Sequence, residues 1–356
     1  MFESIEDYQN IYYILIFIFF LIGGITRSFH NGKKHYVVYS IIILLSLFIG
    51  NRPMNVGSDT ISYHYMFDVE NSKSLTDSID VGDPLFVLLL RLCSIFEDVY
   101  FCLKLISFII LLGTYLFAKK VCKEEKVGSS LLLFFSMISM DIFFNQQFNI
   151  IRTGLANIFI YFFFYTFYRK QYKTSLIYAL VAVGFHLTMF IPIVVVLFMY
   201  YLILKERLCL FIYFLAITIA FMGYGIHSIS DYLLGFDLRQ IQSYLSENNF
   251  EYKVGFRNDF MIFNTFFLIC FLYLRKYIKV KDNFFDDCIK YYMLLSAVFF
   301  LWFYIPFSDR IGAFSWNFIP VILYLGCCKS FPRKQKFYGI ISFCVIYFVN
   351  IILFVI

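Results

Sequence analysis

Long apolar runs, separated by short polar stretches, succeed one another from end to end of the chain. Read for hydropathy, they fall near 8–26, 36–50, 99–118, 128–144, 149–168, 173–186, 188–204, 207–225, 259–275, 288–305, 310–327 and 337–356. Many reach the roughly 17 residues that a helix needs to cross a hydrocarbon core of about 30 Å. The runs are continuous and lack the period-two alternation of a transmembrane barrel, so the pattern predicts helices. The expected fold is all-α, a polytopic transmembrane helical bundle of about twelve crossing segments. It forms a single transmembrane domain over 1–356, with no soluble second domain, low-complexity tract or internal repeat.

Composition agrees with that solvent. Of 356 residues, 61% are hydrophobic, 22% aromatic and 15% charged, whereas charged residues make up about a quarter of a soluble domain. The formal net charge of +6 does not indicate a nucleic-acid partner, because Lys and Arg gather between the apolar runs, where they set topology. The connections carrying Arg27, Lys33 and Lys34; Lys119, Lys120, Lys123 and Lys126; Arg169, Lys170 and Lys173; Lys205 and Arg207; Arg275, Lys276, Lys279 and Lys281; and Lys329, Arg333, Lys334 and Lys336 share one face. The positive-inside rule makes that face cytoplasmic. External loops near 51–98 and 226–258 then lie opposite, with both termini.

Two ambiguous segments follow from this bias. The stretch 84–97 resembles a short span but must stay on the outer side, so it is expected to be an interfacial or re-entrant helix. The run from Lys173 to Lys205 goes out and returns, turning near Gly184, Phe185 and His186. The first run follows Glu3, Glu6 and Asp7 and no cleavage site, so it is read as a retained span. The nine cysteines lie mostly inside apolar runs without a CxxC, which favours packing over a disulfide framework or zinc site.

Ionisable side chains at membrane depth are costly and mark a site or a buried pair. Arg52, Asp59, Asp83, Arg91, Asp141, Arg152, His186, Asp309 and Arg310 all fall at or just beneath the outer surface, as if lining one cavity. Ser58 or Asp59 is placed to cap a helix running through Tyr63 and Phe67; with the adjacent Arg52, that helix start is also a phosphate-binding corner. Asp83 reads as an N-cap before Pro84 at the first helical position. Arg152, after Asn145, Gln146, Gln147, Phe148 and Asn149, either snorkels to the surface or serves as a forked donor for phosphate. His186 is either a hydrogen-bonded core histidine or a functional group at a hairpin apex. Asp309 and Arg310 form a surface ion pair or contribute Arg310 to the same mouth. No GxSxG, HExxH, Walker A or GxGxxG sequence is present, so serine hydrolase, zincin and nucleotide-binding readings have no local motif.

The ordered set Arg52, Gly57-Ser58-Asp59-Thr60, Tyr63 and Phe67, then Asp83-Pro84-Leu85-Phe86, then Gln147 with Arg152-Thr153-Gly154-Leu155-Ala156, then Phe185-His186 resembles the EpsG family of polysaccharide polymerases, which looks Wzy-like. Many relatives have Glu before a Pro-Gly-Phe turn, where this chain has Asp83 and, in place of the glycine, Leu85. The resemblance implies polymerisation of oligosaccharide repeat units carried on undecaprenyl diphosphate, at the periplasmic face of the bacterial inner membrane. It implies no cofactor and no metal, with a chain-length regulator and a flippase as candidate partners. Catalytic roles would fall to His186 and Asp59, which orient or deprotonate the acceptor hydroxyl, and to Arg152, which faces the diphosphate. Arg52, Arg310, Tyr63, Gln147 and Asp83 would bind diphosphate or sugar, and Tyr232, Tyr244 and Tyr252 could stack on sugar faces. Competing readings are a flippase or exporter of the lipid-linked glycan and a ligase that uses the same donor.

Overall fold

The structure, a computed structural model, describes residues 4–25, 35–73, 83–226, 228, 253–278 and 282–354. Tyr232, Tyr244 and Tyr252, most of the expected loop 226–258 and part of 51–98 lie outside the described residues. Those described are helices and their connections, with no strand among them.

The helices are α1 (Ile5–Ile25), α2 (His35–Gly50), α3 (Thr60–Asn71), α4 (Pro84–Ser94), α5 (Val99–Glu124), α6 (Ser130–Ile138), α7 (Asp141–Phe148) and α8 (Ile151–Tyr168). They continue as α9 (Tyr172–Phe185), α10 (Phe190–Tyr201), α11 (Glu206–Phe221), α12 (Asn258–Tyr277), α13 (Asn283–Leu301), α14 (Asp309–Trp316), α15 (Ile319–Ser330) and α16 (Gln335–Phe354). Among the described residues, 5 helices are long and apolar enough to cross a membrane, or 6 if the bent α6–α7 pair is one span. That is short of the twelve segments suggested by hydropathy, because helices such as α9, with 14 residues, and α10, with 12, are apolar but short.

One expected span is sharply bent. The run 128–144 divides into α6 and α7, bent by 71°. The hydroxyls of Ser136 and Ser139 donate to the carbonyls of Leu132 (2.9 Å) and Phe135 (2.6 Å), which weakens the end of α6. Met140 is extended, and the Asp141 N–H that opens α7 donates to Asn350 Oδ1 at 2.8 Å. The run 310–327 stays one candidate span, Asp309–Ser330, of 22 residues, with its helix interrupted at Asn317 and Phe318, where Pro320 withholds an N–H from the first turn of α15.

The helices fall into two compact units, residues 1–193 with 327–356, and residues 194–326. In the first, α5 and α8 run side by side in the same direction, and α9 returns along α8. Gly113 of α5 lets Ile158 of α8 approach, since a Cβ there would meet its Cγ2 at 2.5 Å. The C-terminal ends of these two helices carry charge: Arg169 Nε lies 3.5 Å from Glu124 Oε2, and Lys329 Nζ lies 2.9 Å from Glu125 Oε2. About 25 Å away along α8, at 1.5 Å per residue, its N-terminal end carries Arg152.

The second unit centres on Asn264 of α12. Its Oδ1 accepts from the hydroxyls of Ser296 (3.0 Å) and Tyr292 (3.2 Å) on α13 and Ser315 (3.4 Å) on α14, so one buried amide ties three helices together. Phe260, Phe263 and Phe299 pack around Trp316 beside it.

Candidate functional site

The site begins with a turn that only glycine permits. Gly57 has φ +95°, and a Cβ would meet the Phe148 carbonyl oxygen at 2.7 Å, so the loop between α2 and α3 lies directly on the end of α7. The neighbouring Ser58 N–H donates to Asn149 Oδ1 at 2.9 Å. Arg52 anchors the same contact from within. It is fully buried, its guanidinium donating to Thr60 Oγ1 (3.1 Å) and to the carbonyls of Ile49 (3.2 Å) and Phe148 (3.4 Å). Burial lowers its pKa to about 10, against the opposing effects of Tyr63 and Tyr8, so it stays charged at neutral pH. Asp59 takes the N-cap position of α3, but its carboxylate accepts from the Ser58 hydroxyl (3.0 Å) and makes no cap bond to the helix.

Asp83 likewise occupies an N-cap position, before Pro84, without capping α4 through its side chain. Its carboxylate turns instead toward two other segments. Arg152 Nη1, in the first turn of α8, donates to Asp83 Oδ2 at 2.7 Å. His186 Nδ1, in the α9–α10 turn, lies 3.3 Å from the same oxygen, and the Leu187 N–H donates to Oδ1 at 3.0 Å. The Arg152 guanidinium also donates to the Tyr63 hydroxyl, whose buried ring packs edge-on against Phe86 at 5.9 Å. Two glycines make this convergence possible. A Cβ on Gly184 would meet Leu85 Cδ1 at 2.7 Å, and one on Gly154 would meet the Gln146 carbonyl at 2.7 Å, so α9 seats on α4 and α8 on α7 at close range.

Exposure separates the members. The Asp83 side chain is 7% exposed, His186 20% and Arg152 36%, so the carboxylate is the buried hub and the guanidinium is the group open to a ligand. Arg152 has five N–H donors, more than Asp83 and Tyr63 occupy. Burial raises the Asp83 pKa, but His186 through its hydrogen bond and charge, Arg152 and the Leu187 N–H outweigh it, leaving the carboxyl below its ordinary value of 3.8.

Other ionisable groups expected near that cavity have partners of their own. Asp141 accepts from Gln9 (2.9 Å) and Asn145 (3.2 Å), joining α1 to α7. Arg310 belongs to the second unit, its guanidinium 4.9 Å from the Phe307 ring centre. Gln147 is 0% exposed, and neither atom of its side-chain amide has a hydrogen-bond partner among the described residues. Among the described residues, no group of three His, Cys, Asp or Glu side chains could hold a metal ion.

Glu70 was not singled out from the sequence. Its carboxylate receives Arg91 Nη2 at 2.7 Å, Arg91 Nε at 3.0 Å and Lys73 Nζ at 2.8 Å, which braces α3 against α4. The sequence separation of 21 between Glu70 and Arg91 hides this pair from any local pattern. Arg91 is fully buried, and removing the carboxylate leaves its charge in low dielectric. Glu70→Gln is therefore expected to cost about 3–5 kcal/mol of stability, read as a fall in melting temperature of the detergent-solubilised protein.

His64 supplies a pH dependence. It is buried, its Nε2 has no partner among the described residues, and its ring packs against Tyr100. Burial lowers its pKa and Arg52 adds to that, against Asp68. The unfolded chain thus binds this proton first, and stability falls as pH drops below about 6.5. Asp83 and Glu70, both held below their ordinary values, keep their contributions until about pH 4 and lose them as pH falls further. Melting temperature against pH is expected to show two descending steps, with His64→Phe removing the upper step alone.

No curated protein and no solved structure matches the chain. A family model does, described as the EpsG family and covering residues 35–356. That stretch contains the Gly57 turn, the Asp83 hub, Arg152 and His186, and the chain belongs to the EpsG family.

Proposed function

We propose that this protein is a membrane glycosyltransferase of about twelve crossings that polymerises undecaprenyl-diphosphate-linked oligosaccharide repeat units at the periplasmic face of the bacterial inner membrane. Membership of the EpsG family supports a polymerase-like role. The charge at the far ends of α5 and α8, opposite Arg152, supports placing the site on the outer side. The observation that carries the reading is the Asp83 carboxylate, whose Oδ2 receives Arg152 and faces His186.

That geometry divides the labour of glycosyl transfer. The growing chain is the donor, its anomeric carbon bonded to the diphosphate of the carrier lipid. A hydroxyl at the non-reducing end of the incoming unit attacks that carbon, the new glycosidic C–O bond forms, and the bond to diphosphate breaks. Arg152 offers its remaining N–H donors to the departing diphosphate, where negative charge accumulates. His186, with Nδ1–H directed to Asp83, keeps Nε2 as the atom that takes the acceptor proton. Asp83 is a positioning residue that holds both. Tyr63 steadies Arg152, and Arg52 holds the loop beneath them.

The test is gel profiling of surface glycan in a strain deleted for the gene and complemented at matched expression. Collapse of the polymer ladder to a single repeat unit, restored by wild type but not by His186→Ala, is the expected result. A ladder that persists on carrier lipid without reaching its acceptor would make the protein a ligase. Loss of all external glycan would make it a flippase.

A further inference from the structure

Polar side chains at Asp141, Asn145 and Asn149 recur every four residues from the start of α7 to the residue that closes it, and so lie along one face. That face is partly exposed, whereas Ile142, Phe143, Phe144 and Phe148 of the same helix are buried. Each side chain in the row is oriented by the next. Gln9 of α1 donates to Asp141 Oδ1 at 2.9 Å, Asn145 Nδ2 to Asp141 Oδ2 at 3.2 Å, and Asn149 Nδ2 to Asn145 Oδ1 at 2.7 Å. The Ser58 N–H of the Gly57 loop completes the row by donating to Asn149 Oδ1 at 2.9 Å. Donation therefore runs in one direction from the loop to the Asp141 carboxylate, which fixes how each amide is turned. Behind the row α7 is firmly packed. The rings of Phe144 and Phe148 stack at 4.3 Å, with Tyr12 at 5.3 Å from Phe144 and Tyr8 at 6.0 Å from Phe148.

We infer that this row is a saccharide subsite, where Asn145 and Asn149 bind hydroxyls of the glycan; the inference rests on the reading above for the class of substrate. A side-chain amide carries two N–H donors and an oxygen with two lone pairs. Among the described residues, the row engages one N–H and one lone pair of Asn145 and of Asn149. Each amide thus keeps a donor and an acceptor in one plane at a partly exposed position, the pattern that two neighbouring sugar hydroxyls complement. Because the amides are already oriented, binding a sugar orders little. Other ligand classes fit worse. The one charged group in the row, Asp141, is an anion and repels phosphate, and a lipid chain has no group to bond with an amide. From Asp141 to Asn149 the row spans about 12 Å at 1.5 Å per residue, the scale of a short oligosaccharide. The next helix, α8, opens at Ile151 and carries Arg152 in its first turn, so a glycan laid along α7 has one end toward the group assigned to its diphosphate. Asp141 stands out in the sequence for its charge alone; the row is completed by Gln9 and Ser58, which meet Asp141 and Asn149 across sequence separations of 132 and 91.

The experiment uses the full-length protein in nanodiscs and, as probe, short oligosaccharides cut from the host's own surface glycan and freed of lipid and phosphate. Binding is followed by saturation-transfer NMR. Wild type is expected to bind the probe, and Asn145→Ala and Asn149→Ala to bind it about tenfold more weakly, as loss of a hydrogen bond to the ligand requires. In proteoliposomes the same variants are expected to raise KM for lipid-linked units by a similar factor while kcat is kept, a split that loosened packing does not produce. Should Asn145→Ala not fold, Gln9→Ala at the edge of the row is expected to weaken binding about threefold. Equal binding by wild type and variants, with polymerisation intact, would overturn the subsite and leave the polymerase reading standing. Binding that is lost in the variants, from a protein that does not polymerise, would overturn that reading and keep the subsite. A wild-type protein that binds no oligosaccharide would overturn the subsite.

Discussion

Asp83→Ala is expected to lower chain extension by about a thousandfold, a loss comparable to removing a preorganised catalytic contact. The variant deletes the oxygen that receives Arg152 at 2.7 Å and faces His186 at 3.3 Å. Arg152 is then free to leave the position from which, in the proposed reaction, it meets the diphosphate, and the imidazole loses its carboxylate partner. Asp83→Asn separates shape from charge. It keeps an acceptor for Arg152 but presents an amide with no negative charge to stabilise His186 when it takes a proton, so a large part of the loss is expected to remain in kcat. Purified variants in proteoliposomes, supplied with lipid-linked repeat units, provide the rates. Activity of Asp83→Ala within a few fold of wild type would remove Asp83 as organiser of the site.

The second large effect is expected at Arg152. Arg152→Lys keeps the positive charge but loses the planar fork that serves Asp83, Tyr63 and a ligand together. Turnover is expected to fall by about a hundredfold or more, toward the value for Arg152→Ala. Stability is expected to change little, because the side chain is 36% exposed and an ammonium at that depth can be solvated. The contrast with Glu70→Gln is diagnostic, since that change is expected to lower stability while any folded protein retains its chemistry. A lysine variant with wild-type turnover would show that Arg152 supplies only diffuse charge.

The Asp83 hub also explains why two carboxylates that look alike in the sequence differ in place. Asp59 and Asp83 each stand where an N-cap belongs, and neither side chain caps its helix. Asp59 accepts from its neighbour Ser58. Asp83 faces groups 69 and 103 residues away, and only there do α8 and the α9–α10 turn supply donors.

The helical, membrane-embedded character of the chain was legible from composition and from the length of its apolar runs, because both depend on residues near one another in sequence. So was a helix break at His186, where α9 ends at Phe185 and α10 begins at Phe190. The motif residues Arg52, Gly57, Asp83, Arg152 and His186 were legible as a set. Their division of roles was not. Whether Arg52 is buried beneath a loop, whether Glu70 neutralises Arg91, and which oxygen Arg152 and His186 share depend on helices meeting across 21 to 103 residues of chain. The break between α6 and α7 had local signs in Ser136, Ser139 and Asp141, but its 71° bend takes hold through Asn350 of α16. Local sequence decides where a helix can form and which solvent its surface tolerates. Which helix it packs against, and so which charges are buried in pairs and which stay exposed, is decided only by the tertiary fold.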